Sequence, residues 1–259
     1  MWERTIVIVS VAQAQLYFLA LTRILAMMIA VPVLGGQSIP LQVRIGLGLI
    51  LAAILLPWQP LPPQTEWMDG LAYAIFVARE VLIGTLAGFA ARLTFGALQI
   101  AGEAMGLGSG FASSRLFNPA IAESSTALDQ FFMMVVMLYF LIIDGHHLFL
   151  IGVKKTFDIL PLMAPLPLER MDVLMQTTAQ LILAGVHLAL PVMAALFLTD
   201  LTLGLLARIA PQVQVYFLGL PLKIGVSLIA MGMVIVVGLP LVGNLYREIA
   251  PRMLALIGN

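Results

Sequence analysis

Eight charged side chains stand where charge is expensive. Arg23, Arg79, Glu80, Arg92 and Asp200 lie inside long apolar stretches, and Glu103, Arg208 and Lys223 lie at the ends of such stretches. An ionised group in hydrocarbon is costly, so residues of this kind face protein or a water-filled cavity and pair with one another. One chemistry open to them is a polar pathway for an ion, a solute or a chain. The plainer reading of any single one is structural: buried pairing, contact with a neighbouring subunit, or snorkelling at an interface. Arg92 and Glu103 are eleven residues apart, about three helical turns, and so share a helix face.

Reactive chemistry is missing. The chain has no phosphate loop, no G-x-S-x-G and no H-E-x-x-H pattern. It has no cysteine, which excludes a disulfide framework, a thiol nucleophile and a cysteine metal site. His146 and His147 are adjacent, so on a helix they point about 100° apart and do not converge on one metal. "DGHH", opening at Asp144, reads better as a helix terminus at an interface. His187 stands alone near Pro191 and reads as a packed residue. No catalytic residue, metal or cofactor is therefore assigned. The 15 methionines are ordinary apolar filler or a deformable lining, with "MMVVM" (Met133–Met137) the densest run.

The elements that must position these residues are apolar helices. Of 259 residues 61% are hydrophobic and 10% charged, the net charge is zero, and the mean hydropathy is +1.06. A soluble domain carries about 25% charged residues, so this is a membrane-class chain. The neutral balance points to no nucleic acid. The N-terminus has one Arg beside one Glu, two glutamines in its apolar part and no small-residue cleavage site, and reads as retained. Six apolar blocks follow one another: Thr5–Leu34, Val43–Leu56, Trp67–Met105, Leu128–Ile143, Met171–Ile209 and Tyr216–Leu245. Pro/Gly stretches punctuate them at Pro32–Pro40, Pro57–Gln64, Leu160–Asp172 and Ala210–Pro221.

The lengths do not suit a plain six-span bundle. A spanning helix needs about 20 residues for ~30 Å of hydrocarbon. Val43–Leu56 is too short, whereas Trp67–Met105 as one helix would run to roughly 58 Å at ~1.5 Å per residue. Met171–Ile209 is similarly long, with a kink expected at Pro191. The expected fold is an all-α integral membrane protein of long, kinked helical hairpins. Lys and Arg are scattered over the connections, so orientation is not readable from loop charge.

Glycine adds a second pattern. Gly84, Gly88 and Gly96 fall at multiples of four, and Gly102, Gly106 and Gly110 repeat the spacing. Such stripes let backbones approach closely, which predicts hairpin or subunit packing there. The second set opens "GEAMGLGSGFASSRLFNPAIAESS" (Gly102–Ser125), which is too long for a tight turn and too apolar for an ordinary wet loop. On its residues alone, a solvated inter-helix connection and a functional loop both remain open.

Three ordered stretches carry a resemblance. They are "LTRILAMMIAVPVLGGQSIPLQVRIGLGLILAAILLP" (Leu21–Pro57), the Gly/Phe loop continued through "LYFLIIDGHHLFLIGVKKTFDILPL", and "LTDLTLGLLARIAPQVQVYFLGLPLKIGVSL" (Leu198–Leu228). Together they resemble the FliR/SctT family of type III secretion export-gate proteins over nearly the whole chain, with "DGHH" and "ARIAPQVQVYFLGLPLK" leaning toward the flagellar branch. The resemblance implies a non-enzymatic subunit of a hetero-oligomeric export gate in the bacterial inner membrane, at the flagellar basal body. It implies assembly with FliP and FliQ, association with FlhB and FlhA, contact with lipid, and passage of unfolded rod, hook and filament subunits. It further implies hairpins arranged in a helical assembly, with residues 1–165 FliP-like and 166–259 FliQ-like. The loop of about 106–125 would be a channel plug, with Gly106, Gly108 and Gly110 as hinges, Phe111 and Phe117 as stoppers, and Asn118-Pro119 as the turn. Bulky apolar rings can close a pore by dewetting, which suits that role.

Three rivals remain. A virulence injectisome subunit would share the same motifs. A small-solute secondary transporter would account for the intramembrane charges and broken helices, and would work without partner subunits. An intramembrane enzyme lacks a nucleophile, an acid pair or a metal set.

Overall fold

The computed structural model describes residues 11–36, 39–56, 69–113, 126–165 and 170–258. Phe117, Asn118 and Pro119 lie outside them, as do the first ten residues and the Pro57–Gln64 stretch.

Among the described residues every regular element is helical. In chain order they are α1 (Val11–Ala30), the single turn α2 (Pro32–Gly35), α3 (Leu41–Leu55), α4 (Gly70–Leu107), α5 (Ala127–Ile142), α6 (Gly145–Ile159), α7 (Met171–Ile209), α8 (Val215–Arg247) and α9 (Ile249–Ile257). A short 3-10 turn, Gly110–Ser113, follows α4. Four stretches are long and apolar enough to cross a membrane: α1, α4, α7 without its first residue, and α8 with α9; α5 with α6 would make a fifth if that broken pair is one span. This is an all-α integral membrane protein. At ~1.5 Å per residue the 38 residues of α4 and 39 of α7 run to almost 60 Å, about twice the hydrocarbon thickness.

The block ends correspond to helix ends within a few residues, with two exceptions. Residues 145–159 and 249–257 are helices that the apolar blocks did not include. Lys154, Lys155 and Asp158 dilute the first, and Arg252 the second, although each presents an apolar side: Phe149, Val153 and Phe157 on α6, and Ile249, Met253 and Leu256 on α9 are buried. The α5–α6 break falls where "DGHH" placed a helix end. Asp144 takes a left-handed φ of 54°, which Asp tolerates, and a Cβ on Gly145 would strike the Phe140 ring.

Packing gathers the described residues into two compact units. One takes those of Met1–Arg92, His147–Met175 and Ile249–Asn259; the other takes those of Leu93–His146 and Gln176–Glu248. The units interleave along the chain.

In the first unit α1 is the hub. Leu19, Ile24, Met27 and Met28 are fully buried. Gly84 and Gly88 bring α4 onto it: a Cβ on Gly84 would lie 2.6 Å from the Arg23 carbonyl oxygen, and one on Gly88 would lie 2.7 Å from Ala30 Cβ. Arg44 of α3 holds the Pro/Gly turn by donating to the carbonyls of Gly35 (3.1 Å) and Gly36 (2.9 Å). In the second unit Phe95, Phe140 and Tyr246 form an aromatic cluster with ring centroids 4.9–5.6 Å apart, and the Tyr246 hydroxyl donates to the Val136 carbonyl at 2.9 Å. Gly185 lets α7 approach the Ala97 carbonyl of α4.

Candidate functional site: a loop stem and the charges around it

The sequence-predicted loop leaves α4 through a tightly packed stem. Ser109 is buried, its hydroxyl donating to the Gly106 carbonyl at 2.6 Å, and the chain then turns through Gly110–Ser113. On the return side Thr126 caps α5. Its backbone N–H donates to Asp129 Oδ2 at 2.8 Å, while its hydroxyl accepts from the Asp129 N–H at 3.3 Å. This reciprocal capping box fixes where α5 begins. A Cβ on Gly106 would collide with the Thr126 hydroxyl, so the two ends of the loop meet. Gly102 lies one turn back on α4, against Phe132 and Asp129. Asp129 is itself buried, and its Oδ1 has no hydrogen-bond partner among the described residues.

The stem is seated between two helices of the same unit. A Cβ on Gly108 would lie 3.1 Å from Leu196 of α7, and one on Gly110 would lie 2.8 Å from both the Leu220 carbonyl and Ile224 Cγ1 of α8. Every described glycine has a negative φ. What glycine supplies at 106, 108 and 110 is therefore proximity and not a left-handed backbone. Phe111 is half-buried at the head of the 3-10 turn.

One helical turn from Leu196, Asp200 of α7 forms an ion pair with Lys223 of α8. Their side chains are 50% and 26% exposed, so the pair is accessible. It borders an open cavity of about 260 Å³ lined mainly by Leu203, Gly204, Ala207, Tyr216 and Gly219. Pro221 precedes Lys223 by two residues and cannot donate to the Phe217 carbonyl, which softens α8 beside this turn.

The first unit holds a different charge site. Arg23 and Glu80 are fully buried, with Arg23 Nε 2.5 Å from Glu80 Oε2. The guanidinium also donates to the Leu160 carbonyl at 2.6 Å and lies 4.6 Å from the Phe157 ring centroid. It thereby supplies a cation to the C-terminal end of α6, where carbonyls lack helix partners. Glu80 Oε1 accepts from the Met163 N–H at 3.1 Å, fixing a turn in which Met163 takes a φ of 69°.

The other predicted residues are not gathered into either site. Arg79 is half-buried over Phe76, and Arg92 and Arg208 are exposed. Glu103 is exposed and accepts from Gln99 on its own helix at 2.9 Å. A Cβ on Gly96 would meet nothing within 4 Å. His187 lines an open apolar cavity of about 310 Å³ with Pro191, Met233 and Gly238. His146 sits 4.0 Å from Asp144 at the α5–α6 break. No cluster of His, Cys, Asp and Glu suited to a metal occurs among the described residues. Sequence reading passed over Arg44 and the capping box. "TALD" is a legible Thr-x-x-acid signal, but nothing in the sequence marks Arg44 as a turn clamp.

Comparison with known proteins gives one consistent pattern. Residues 14–249 match the family described as bacterial export proteins, family 1. Flagellar biosynthetic protein FliR of Caulobacter vibrioides is 34% identical over 226 residues, covering 85% of this chain and 89% of that protein. FliR of Escherichia coli is 32% identical, covering 90% and 89%. The chain is also similar to Yop proteins translocation protein T of Yersinia pestis, at 27% identity and 82% of each chain.

Proposed function

Since this chain belongs to the bacterial export proteins, family 1, we propose that it is a non-enzymatic subunit of a type III protein export gate, on the flagellar branch. The observation that carries the proposal is the match over nearly its whole length to proteins named for flagellar biosynthesis, of which those of Caulobacter vibrioides and Escherichia coli are more identical to it than the translocation protein T is. The finer reading follows the resemblance. The subunit sits in the inner membrane at the flagellar basal body and assembles with FliP and FliQ, with FlhB and FlhA alongside. It forms part of the channel for unfolded rod, hook and filament subunits. Residues 1–165 are the FliP-like part and 166–259 the FliQ-like part. Helices of almost 60 Å suit such an assembly better than a plain bundle.

In this reading the loop of about 106–125 is the channel's stopper. Support comes from its stem: glycines pack its two ends together and onto α7 and α8, and Phe111 stands at its start. The stopper reading predicts that Phe111→Ala together with Phe117→Ala raises ion leakage through membranes carrying the assembled gate. Leakage at background would remove it. The gate reading as a whole is tested by deleting the gene, after which filament assembly and secretion should stop. Uptake of a defined solute by the chain reconstituted alone would instead favour a secondary transporter.

A further inference from the structure

We propose that Asp200 and Lys223 are positioning residues for the loop stem: their ion pair sets the width of the slot in which Gly108 and Gly110 sit. The proposal deepens the stopper reading and rests on it for its meaning, but its geometry stands alone. Four observations converge. Gly108 is seated on Leu196 of α7, and Asp200 lies one turn further along that helix. Gly110 is seated on Leu220 and Ile224 of α8, and Lys223 lies within that same turn. The pair therefore ties α7 to α8 one turn from where both helices grip the stem. Next to it an open cavity of about 260 Å³ lies between Gly204 and Ala207 of α7 and Tyr216 of α8, and the close approach beside it is that of Leu203 to Gly219, where a Cβ would lie 3.0 Å away.

The fourth observation is backbone softness. Pro221 breaks the hydrogen-bond ladder of α8 at Phe217, so the turn at 220–224 is not held stiffly by the helix segment before it. Small residues, a cavity and a proline leave the spacing of α7 and α8 lightly held at this point, by the approach of Leu203 to Gly219 and by the ion pair. It has neither the burial nor the additional hydrogen bonds that fix Arg23–Glu80, so of the two pairs it is the more easily opened. A weak tie suits a stem that must be held at rest and released in use.

The test uses the absence of cysteine from the chain. Ser109→Cys places one thiol at a buried stem position, where its labelling by a maleimide reports opening. Labelling is read by mass on this chain in membranes of cells assembling the gate. Asp200→Asn and Lys223→Met, each combined with Ser109→Cys, should speed labelling about fivefold, the population change that a tie worth roughly 1 kcal/mol controls. The reversed pair, Asp200→Lys with Lys223→Asp, should return labelling to the slow rate. Unchanged labelling in both single variants overturns the proposal. So does fast labelling that persists in the reversed pair, because that would be general loosening. Ion leakage on the same membranes separates the two readings: faster labelling without leakage keeps the slot and removes the stopper.

Discussion

Two ion pairs, Arg23–Glu80 and Asp200–Lys223, join similar chemistry to opposite circumstances. The first is fully buried and over-determined, with Arg23 donating to Glu80 and the end of α6, and Glu80 accepting from Met163. The second is partly exposed and borders an open cavity. Removing a partner from a buried pair strands a charge that water cannot reach. Removing a partner from an accessible pair leaves a side chain that can still turn outward to another polar group. The difference teaches that intramembrane charge in this chain is not one phenomenon. One pair is a rivet in the first unit, and the other is a clasp in the second.

The largest expected effect lies at the rivet. Glu80→Gln keeps the shape but leaves the Arg23 guanidinium without its anion, at a cost of ~3–5 kcal/mol. Against a total stability of ~5–15 kcal/mol this should strongly reduce the amount of folded chain in membranes. Arg23→Lys should fail too, since an ammonium cannot reproduce the planar fork that meets the carboxylate and the Leu160 carbonyl together. Near-normal thermal stability of either variant in detergent would make the rivet no stronger than the clasp.

Glycines sharpen the same contrast along α4. Gly84→Ala pushes a methyl onto the Arg23 backbone carbonyl, which cannot swing aside, and should cost about 1–3 kcal/mol. Gly96→Ala meets nothing within 4 Å and should be neutral or stabilising by up to ~1 kcal/mol from helix propensity. Melting temperatures of the purified chain compare the two. If Gly96→Ala instead blocks co-purification with other gate subunits while the lone chain stays stable, Gly96 belongs to a subunit interface.

These examples show what the sequence made legible. Periodic small residues pointed to close helix approach without saying which glycines find a partner. Gly84 and Gly88 meet α1, whereas Gly96 meets open space, and that depends on three-dimensional neighbours that spacing does not encode. Arg23 and Glu80 stood out because charge in an apolar block is rare. Their pairing across 57 residues, with the guanidinium closing the end of α6, was invisible because α6 itself was hidden by its lysines. The long α4 and α7 were legible because no Pro/Gly cluster interrupts them, and Pro191 alone does not end a helix. The loop was visible as an oddity of composition. That glycine there supplies contact, and that the stem sits between α7 and α8, required the fold.

A smaller effect is expected at the loop's return. Thr126→Ala removes the hydroxyl from the capping box and should cost about 1 kcal/mol. The loss should be local: faster amide exchange over the first turn of α5, with the Phe95–Phe140–Tyr246 cluster unchanged. Thr126→Ser keeps the oxygen and should restore protection. If both variants behave alike, the hydroxyl is not what sets the start of α5.

The smallest stability effect belongs to the clasp, and that smallness is the point. Asp200→Asn should shift the unfolding free energy by less than about 1 kcal/mol, as exposed pairs do. Yet the stem's accessibility should change, because the pair acts on the spacing of α7 and α8 and not on a core. A rivet variant loses the protein; a clasp variant keeps the protein and loses the setting of one slot. Measuring both quantities on Asp200→Asn therefore decides between them. A stability loss near that of Glu80→Gln would place Asp200 among the residues that hold the second unit together, and the contrast between the two pairs would disappear.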